Sequence, residues 1–174
     1  NITIQDQFEE LLQENNISAL SDFLNDQNIS DVVELIDEFP EHNTAIMGNM
    51  AIHRAASVFK NLYISDQRRI VKELHPFKTA ELLNELQPDD RTDFFEELPK
   101  EALRGLIKLL NHEERKITLS LLGYPEDSVG RLMTPDYVYV HAYNTVAYVL
   151  DVIRKVARKS ENMDVIYVIN EKGE

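Results

Sequence analysis

The chain has 174 residues, 31 acidic against 18 basic for a formal charge of −13, and contains neither Cys nor Trp. A chain of this length holds one domain, or one domain and part of another, and buries roughly 70% of the surface it exposes when unfolded. Lack of Cys excludes a disulfide scaffold or a thiolate zinc site and fits a cytosolic setting; the acid excess argues against nucleic acid and admits a basic protein partner or an oxygen-ligated divalent cation.

In chain order, Ile4, Phe8, Leu11 and Leu12 are spaced as the apolar stripe of an amphipathic helix. Ser18 is expected to open a second helix carrying Leu20, Phe23 and Leu24. Ser30 should open a third carrying Val32, Val33, Leu35 and Ile36, which Pro40 stops. An internal repeat then dominates. Residues 56–74, 80–98 and 104–122 align at a shift of 24. Val58, Leu82 and Leu106 coincide, as do Phe59, Leu83 and Ile107, and then Leu62, Leu86 and Leu110. Asp66, Asp90 and Glu114 also fall together, and Leu35, Ile36 and Phe39 form a weaker earlier copy at a shift of 23. Each unit reads as two short helices joined at an acidic cap, and Asn111 with Glu114 has capping-box spacing. Such a unit buries its apolar face only by stacking on its neighbours, so residues 1–124 are expected to form a mainly α, right- or left-handed helical-repeat superhelix.

Gly123 stands where a helix C-cap is expected, and residues 125–136 read as a linker beginning Pro125-Glu-Asp127. The period changes beyond it. Tyr137 to Val140 is strand-like, Thr145 opens a helix bearing Val146, Val149, Leu150 and Ile153, and Val165 to Ile169 is an apolar run expected to be a buried strand. Asn170 to Gly173 reads as a turn. Residues 137–174 therefore look like the first part of a truncated α/β domain. The opening Asn1-Ile2-Thr3, without Met, is the expected start of a piece of something longer. No run approaches the 18 or so apolar residues of a membrane span.

Motifs for catalysis are missing. No two of the five His residues are three or four apart, His112-Glu-Glu114 lacks the second His of a zincin helix, and there is neither a Gly-Lys-Ser/Thr loop nor a Gly-x-Ser-x-Gly elbow. These absences argue against an enzyme. Charge, by contrast, is concentrated: eight acids and two bases lie between Glu81 and Glu101. Asp89 and Asp93 share a helix face, where like charges repel by a few tenths of a kcal/mol. Asp89 and Asp90 recover part of that cost at a helix N-terminus. Capping explains Asp90 well and Asp93 less well. A bridging Mg²⁺, which is held by few carboxylates and keeps its waters, would offset the repulsion.

Two stretches carry a family resemblance. Arg54-Ala-Ala-Ser-Val-Phe59, Thr79-Ala-Glu-Leu-Leu-Asn-Glu-Leu-Gln-Pro-Asp-Asp90 and Leu103-Arg-Gly-Leu-Ile-Lys-Leu-Leu110 resemble the acidic N-terminal helical-repeat domain of MgtE-type magnesium transporters. Val129-Gly-Arg-Leu-Met-Thr-Pro135 and Ile166-Tyr-Val-Ile-Asn-Glu-Lys-Gly173 are similar to that family's junction into its first CBS domain. The resemblance implies a Mg²⁺-sensing region on the cytoplasmic face of the membrane. Mg²⁺ would bridge acidic surfaces and close the pore of a multi-pass protein. It implies Asp89 and Asp93 as metal ligands, with Asp90 acting beside them through water. Partners would be the remaining CBS region, the plug helix and transmembrane domain of the same protein, and a second copy joined through the CBS region. The family's Ala-Ala-Glu motif carries Ser57 here, and a neutral hydroxyl is a poor sole anchor for Mg²⁺. The alternative is a helical-repeat interaction module fused to a CBS pair that senses an adenine nucleotide.

Overall fold

The computed structural model describes residues 2–125, 128–132, 137–156 and 165–174, and for residues 131 and 132 the backbone only. The chain divides into two compact units, Asn1–Leu132 and Met133–Glu174. Met133-Thr-Pro135 of the junction motif and Glu126-Asp127 lie outside the described residues.

The first unit opens with α1 (Ile4–Glu14), α2 (Ile17–Asp26) and α3 (Ile29–Glu38). Thr3 and Asp6 form a reciprocal capping box on α1, the Thr3 hydroxyl accepting from the Asp6 N–H and the Asp6 carboxylate from the Thr3 N–H. Both following helices start two residues earlier than serine caps at Ser18 and Ser30 would place them. Asn16, not a serine, caps α2 by accepting from Ala19 N–H, and Asn28 precedes α3 without a side-chain cap. Pro40 does end α3 and opens a short 3₁₀ turn, Pro40–His42, leading into α4 (Asn43–Gly48).

Then come α5 (Ile52–Phe59), α6 (Ile64–Glu73), α7 (Pro76–Glu85), α8 (Pro88–Glu96), α9 (Lys100–Ile107) and α10 (His112–Leu122). These six helices start at 52, 64, 76, 88, 100 and 112, so the 24-residue repeat is a pair of helices each half a period long. Pro76 and Pro88 sit at the first helical position, where proline's missing N–H costs nothing. A polar side chain recurs at one register near the start of every second helix. Gln67 donates to Phe59 O at 2.8 Å, Arg91 to Leu83 O at 3.0 Å and Arg115 to Ile107 O at 3.2 Å. Asn43, oriented with its amide nitrogen inward, donates to Ile36 O at 3.3 Å in the weak first copy. Each strut satisfies a carbonyl that the end of the preceding helix leaves without an intrahelical partner. Tyr63 and Gln87, the residues just before α6 and α8, make no capping bond through their own side chains. The capping box at α10 is half made. Asn111 accepts from Glu114 N–H, but the Glu114 carboxylate goes to Arg91 and Asn111 N–H donates to Asn84 Oδ1 at 2.8 Å. A charge-assisted bond to a guanidinium outcompetes one to a neutral N–H.

The apolar register positions form a continuous core, with Val58, Phe59, Ile70, Leu82, Leu83 and Phe95 among its fully covered members. Phe94 meets Phe59 edge-on at 5.1 Å between ring centroids. Burial falls in the last repeat: α9 has no fully buried side chain, and Leu119, which aligns with the covered Phe95, is 50% exposed. Among the described residues of this unit no further helix pair stacks on it. Gly123 does cap α10, with right-handed backbone angles rather than left-handed ones. A short helix, α11 (Val129–Leu132), follows, and Gly130 packs beneath the Tyr124 ring.

The second unit is a strand–helix–strand element. β1 (Tyr139–His141) and β2 (Tyr167–Ile169) are parallel, with Tyr139 opposite Tyr167 and His141 opposite Ile169, and α12 (Val146–Val156) lies between them in sequence. Thr145 opens α12 as expected, its hydroxyl accepting from Tyr148 N–H. Asn170 Oδ1 accepts from Lys172 and Glu174 N–H groups, and Gly173 at φ +79° completes the turn. β2 departs from expectation. Val165, Tyr167 and Val168 are at least half exposed rather than buried. Among the described residues one strand and one helix stand beside β2 in this unit, too few to cover both of its faces.

Candidate metal centre

The three acids singled out by sequence all lie on α8, whose placement is set by its opposite face. Arg91, Thr92, Phe94 and Phe95 are buried. At 3.6 residues per turn, Asp89 and Asp93 stand about 40° apart, and Arg91 is roughly 160° from both. Burying the Arg91 side of the helix therefore turns Asp89 and Asp93 outward.

The structure separates the three acids by environment. Asp93 is exposed. Asp90 is half-buried, and its carboxylate lies 3.5 Å from Lys60 Nζ. Asp90 and Asp93 line a cleft of about 550 Å³ with Lys60, Gln67, Glu96 and Glu97 over a floor that includes Leu62 and Phe94. Asp89 does not line it. Its Oδ1 is buried and accepts no hydrogen bond among the described residues. A buried carboxylate oxygen without a donor is costly, and a cation satisfies it. The residues present therefore fit a hard dication at Asp89.

Among the described residues no group of three or more His, Asp or Glu side chains is placed to hold a metal by itself. What the chain offers is one or two carboxylates, a donor set suited to Mg²⁺ that keeps several waters. Ser57, at the position of the family's missing acid, donates its hydroxyl to His53 O at 3.0 Å within its own helix.

Sequence reading missed the polar network on the inner side of α8. The Arg91 guanidinium is fully buried, donating through Nε to Thr118 Oγ1 at 2.8 Å, through Nη1 to Leu83 O and Leu86 O, and through Nη2 to the Glu114 carboxylate. The signal was available: Gln67, Arg91 and Arg115 share one repeat position.

The chain matches the family model described as the MgtE intracellular N domain over residues 27–127. It is 38% identical over 169 residues to the magnesium transporter MgtE of Thermus thermophilus, covering 95% of this chain and 38% of that protein. It is also 38% identical over 58 residues to the magnesium transporter MgtE of Bacillus subtilis, covering 33% of this chain and 13% of that one. Among solved structures, the cytosolic domain of the Mg²⁺ channel MgtE in complex with ATP superposes with a TM-score of 0.85 at 34% identity, covering 96% of this chain and 69% of that one. The soluble part of a magnesium transporter gives 0.84 at 19% identity, over 97% of this chain and 67% of that one, a likeness of fold. The chain thus spans well under half the length of the relatives it matches in sequence. With the helical repeat, the family-model match over most of that repeat and the near-complete alignment in agreement, the chain belongs to the MgtE family.

Proposed function

We propose that the chain is a Mg²⁺-sensing regulatory region of a magnesium channel or transporter, on the cytoplasmic side of the membrane. Asp89 and Asp93 supply one half of a bridging metal site, and Asp90 acts beside them. The observation that carries this reading is the buried, donorless Oδ1 of Asp89 on an outward-facing acidic helix. Two apposed acidic surfaces repel, and a dication between them reverses the sign of the interaction. The opposing surface comes from the remaining CBS region and plug helix of the same protein, whose transmembrane domain holds the pore and whose CBS regions pair two copies. Mg²⁺ favours the closed arrangement only through its higher affinity for it. The named relatives are transporters or channels, which supports a regulatory rather than an enzymatic role. Among the described residues no helix is long and apolar enough to cross a membrane.

The test is thermal unfolding of a polypeptide spanning the length of the relatives' cytosolic domain, in MgCl₂ and in KCl at matched ionic strength. A specific site at about 100-fold excess of Mg²⁺ over its Kd stabilises by about 2.7 kcal/mol. Asp89→Asn with Asp93→Asn removes that gain. Equal responses to the two salts sink the reading. A second reading, an adenine-nucleotide sensor, is favoured by the ATP complex of the solved relative. It predicts stabilisation by ATP that the two Asp→Asn changes leave intact.

A further inference from the structure

The Arg91–Glu114 pair supplies no ligand to the proposed metal site, yet Arg91 lies on the opposite side of the same helix. Arg91 is an arginine with no solvent exposure, and its partner carboxylate is 28% exposed. Three of its four hydrogen-bond acceptors are neutral oxygens, and only the fourth, the Glu114 carboxylate, carries a charge that cancels its own. The guanidinium is thus held permanently charged on the inner face of α8, behind the outer face that presents Asp89 and Asp93. The material between them is helix and packed side chain, which screens charge far less than water. An uncancelled positive charge there lowers the affinity of the outer face for any cation.

We infer that Glu114 is an affinity-setting residue: by neutralising the buried Arg91 guanidinium it keeps the Asp89–Asp93 face of α8 negative enough to hold a divalent cation. This rests on the metal-sensing reading and deepens it, because it makes the strength of the site depend on α10, in the next repeat, rather than on α8 alone. Thr118 completes the arrangement. Its hydroxyl accepts from Arg91 and donates to Glu114 O at 2.6 Å, so the guanidinium and the backbone of α10 are fixed to one another.

Charge compensation predicts opposite shifts for two variants, whereas simple scaffolding predicts a shift common to both or none. Glu114→Gln keeps an acceptor for Arg91 but leaves its charge uncancelled. Arg91→Met removes the charge and leaves Glu114. Both weaken the fold, since each breaks a partly buried ion pair. If the charge matters, the first raises the Mg²⁺ midpoint and the second lowers it. The measurement is a MgCl₂ titration, at constant ionic strength, of a ¹⁵N-labelled polypeptide spanning the length of the relatives' cytosolic domain, read from the amide shifts of residues 89–93. Glu114→Gln is expected to raise the midpoint roughly three- to tenfold, and Arg91→Met to lower it by a similar factor. Shifts in the same direction, or neither beyond about twofold, overturn the inference and leave the pair a structural tie. If Arg91→Met does not fold, Glu114→Gln alone decides, and an unchanged midpoint overturns the inference. A wild-type polypeptide of that length with no saturable response specific to Mg²⁺ overturns instead the reading on which the inference rests.

Discussion

Asp89, Asp90 and Asp93 are chemically alike and differ only in what surrounds them. Asp90 has Lys60 beside it, Asp93 faces solvent, and Asp89 holds one oxygen out of water without a donor. A second residue-scale constraint lies near the end of the same unit. A Cβ on Gly130 would meet the Tyr124 ring at 2.7 Å, closer than any relaxed contact. Alanine is the better helix former by about 1 kcal/mol, so the clash and the propensity oppose each other. Gly130→Ala is therefore expected to destabilise the chain with Tyr124 present and to stabilise it in a Tyr124→Ala background. A double-mutant cycle by urea unfolding should give a coupling of about 1 kcal/mol or more, and a coupling near zero would mean that the Tyr124 ring moves aside freely.

Helices in this stack are tied by side chains that reach across units. Asn84 on α7 donates to Ala80 O at 2.7 Å and Leu109 O at 3.0 Å and accepts from Asn111 N–H. Asn25 on α2 does the same work earlier, donating to Ser21 O and accepting from Ala51 N–H at 2.9 Å. Asn84→Ala leaves Leu109 O and Asn111 N–H without partners. It is expected to cost about 1–2 kcal/mol in unfolding free energy, with Asn84→Asp recovering only the part due to Asn111. A loss within experimental error would mean that water replaces both bonds. The helices themselves were legible in sequence because an apolar stripe and a proline at a helix start are local signals. The struts from Gln67, Arg91 and Arg115 are not legible there, because a polar or charged residue in an amphipathic pattern is ordinarily assigned to the solvent side.

At the scale of the whole first unit, position in the stack decides what an apolar side chain contributes. Phe95 and Leu119 occupy the same repeat position, but Phe95 is fully buried and Leu119 is 50% exposed. Phe95→Ala should cost about 3–5 kcal/mol by opening a cavity between packed helices. Leu119→Ala should cost under about 1 kcal/mol, because half of its surface is already in water. Unfolding midpoints in urea decide between this and a uniform repeat. Equal losses would mean that the last helix pair is covered as fully as the middle one.

The mainly α class, the 24-residue period, the change to a strand–helix–strand pattern near residue 137 and the acidic run on one helix follow from residue order alone. All of these are set by spacing over a few residues, which the backbone reads locally. Tertiary structure decided the rest. It paired Asp90 with Lys60, 30 residues earlier, and left Asp89 Oδ1 without a donor. It also buried Arg91 against Glu114. Those outcomes depend on which surfaces meet when helices stack and on how much covering surface each unit possesses. No local pattern encodes either, because burial and charge pairing are properties of the packed neighbours rather than of the residue.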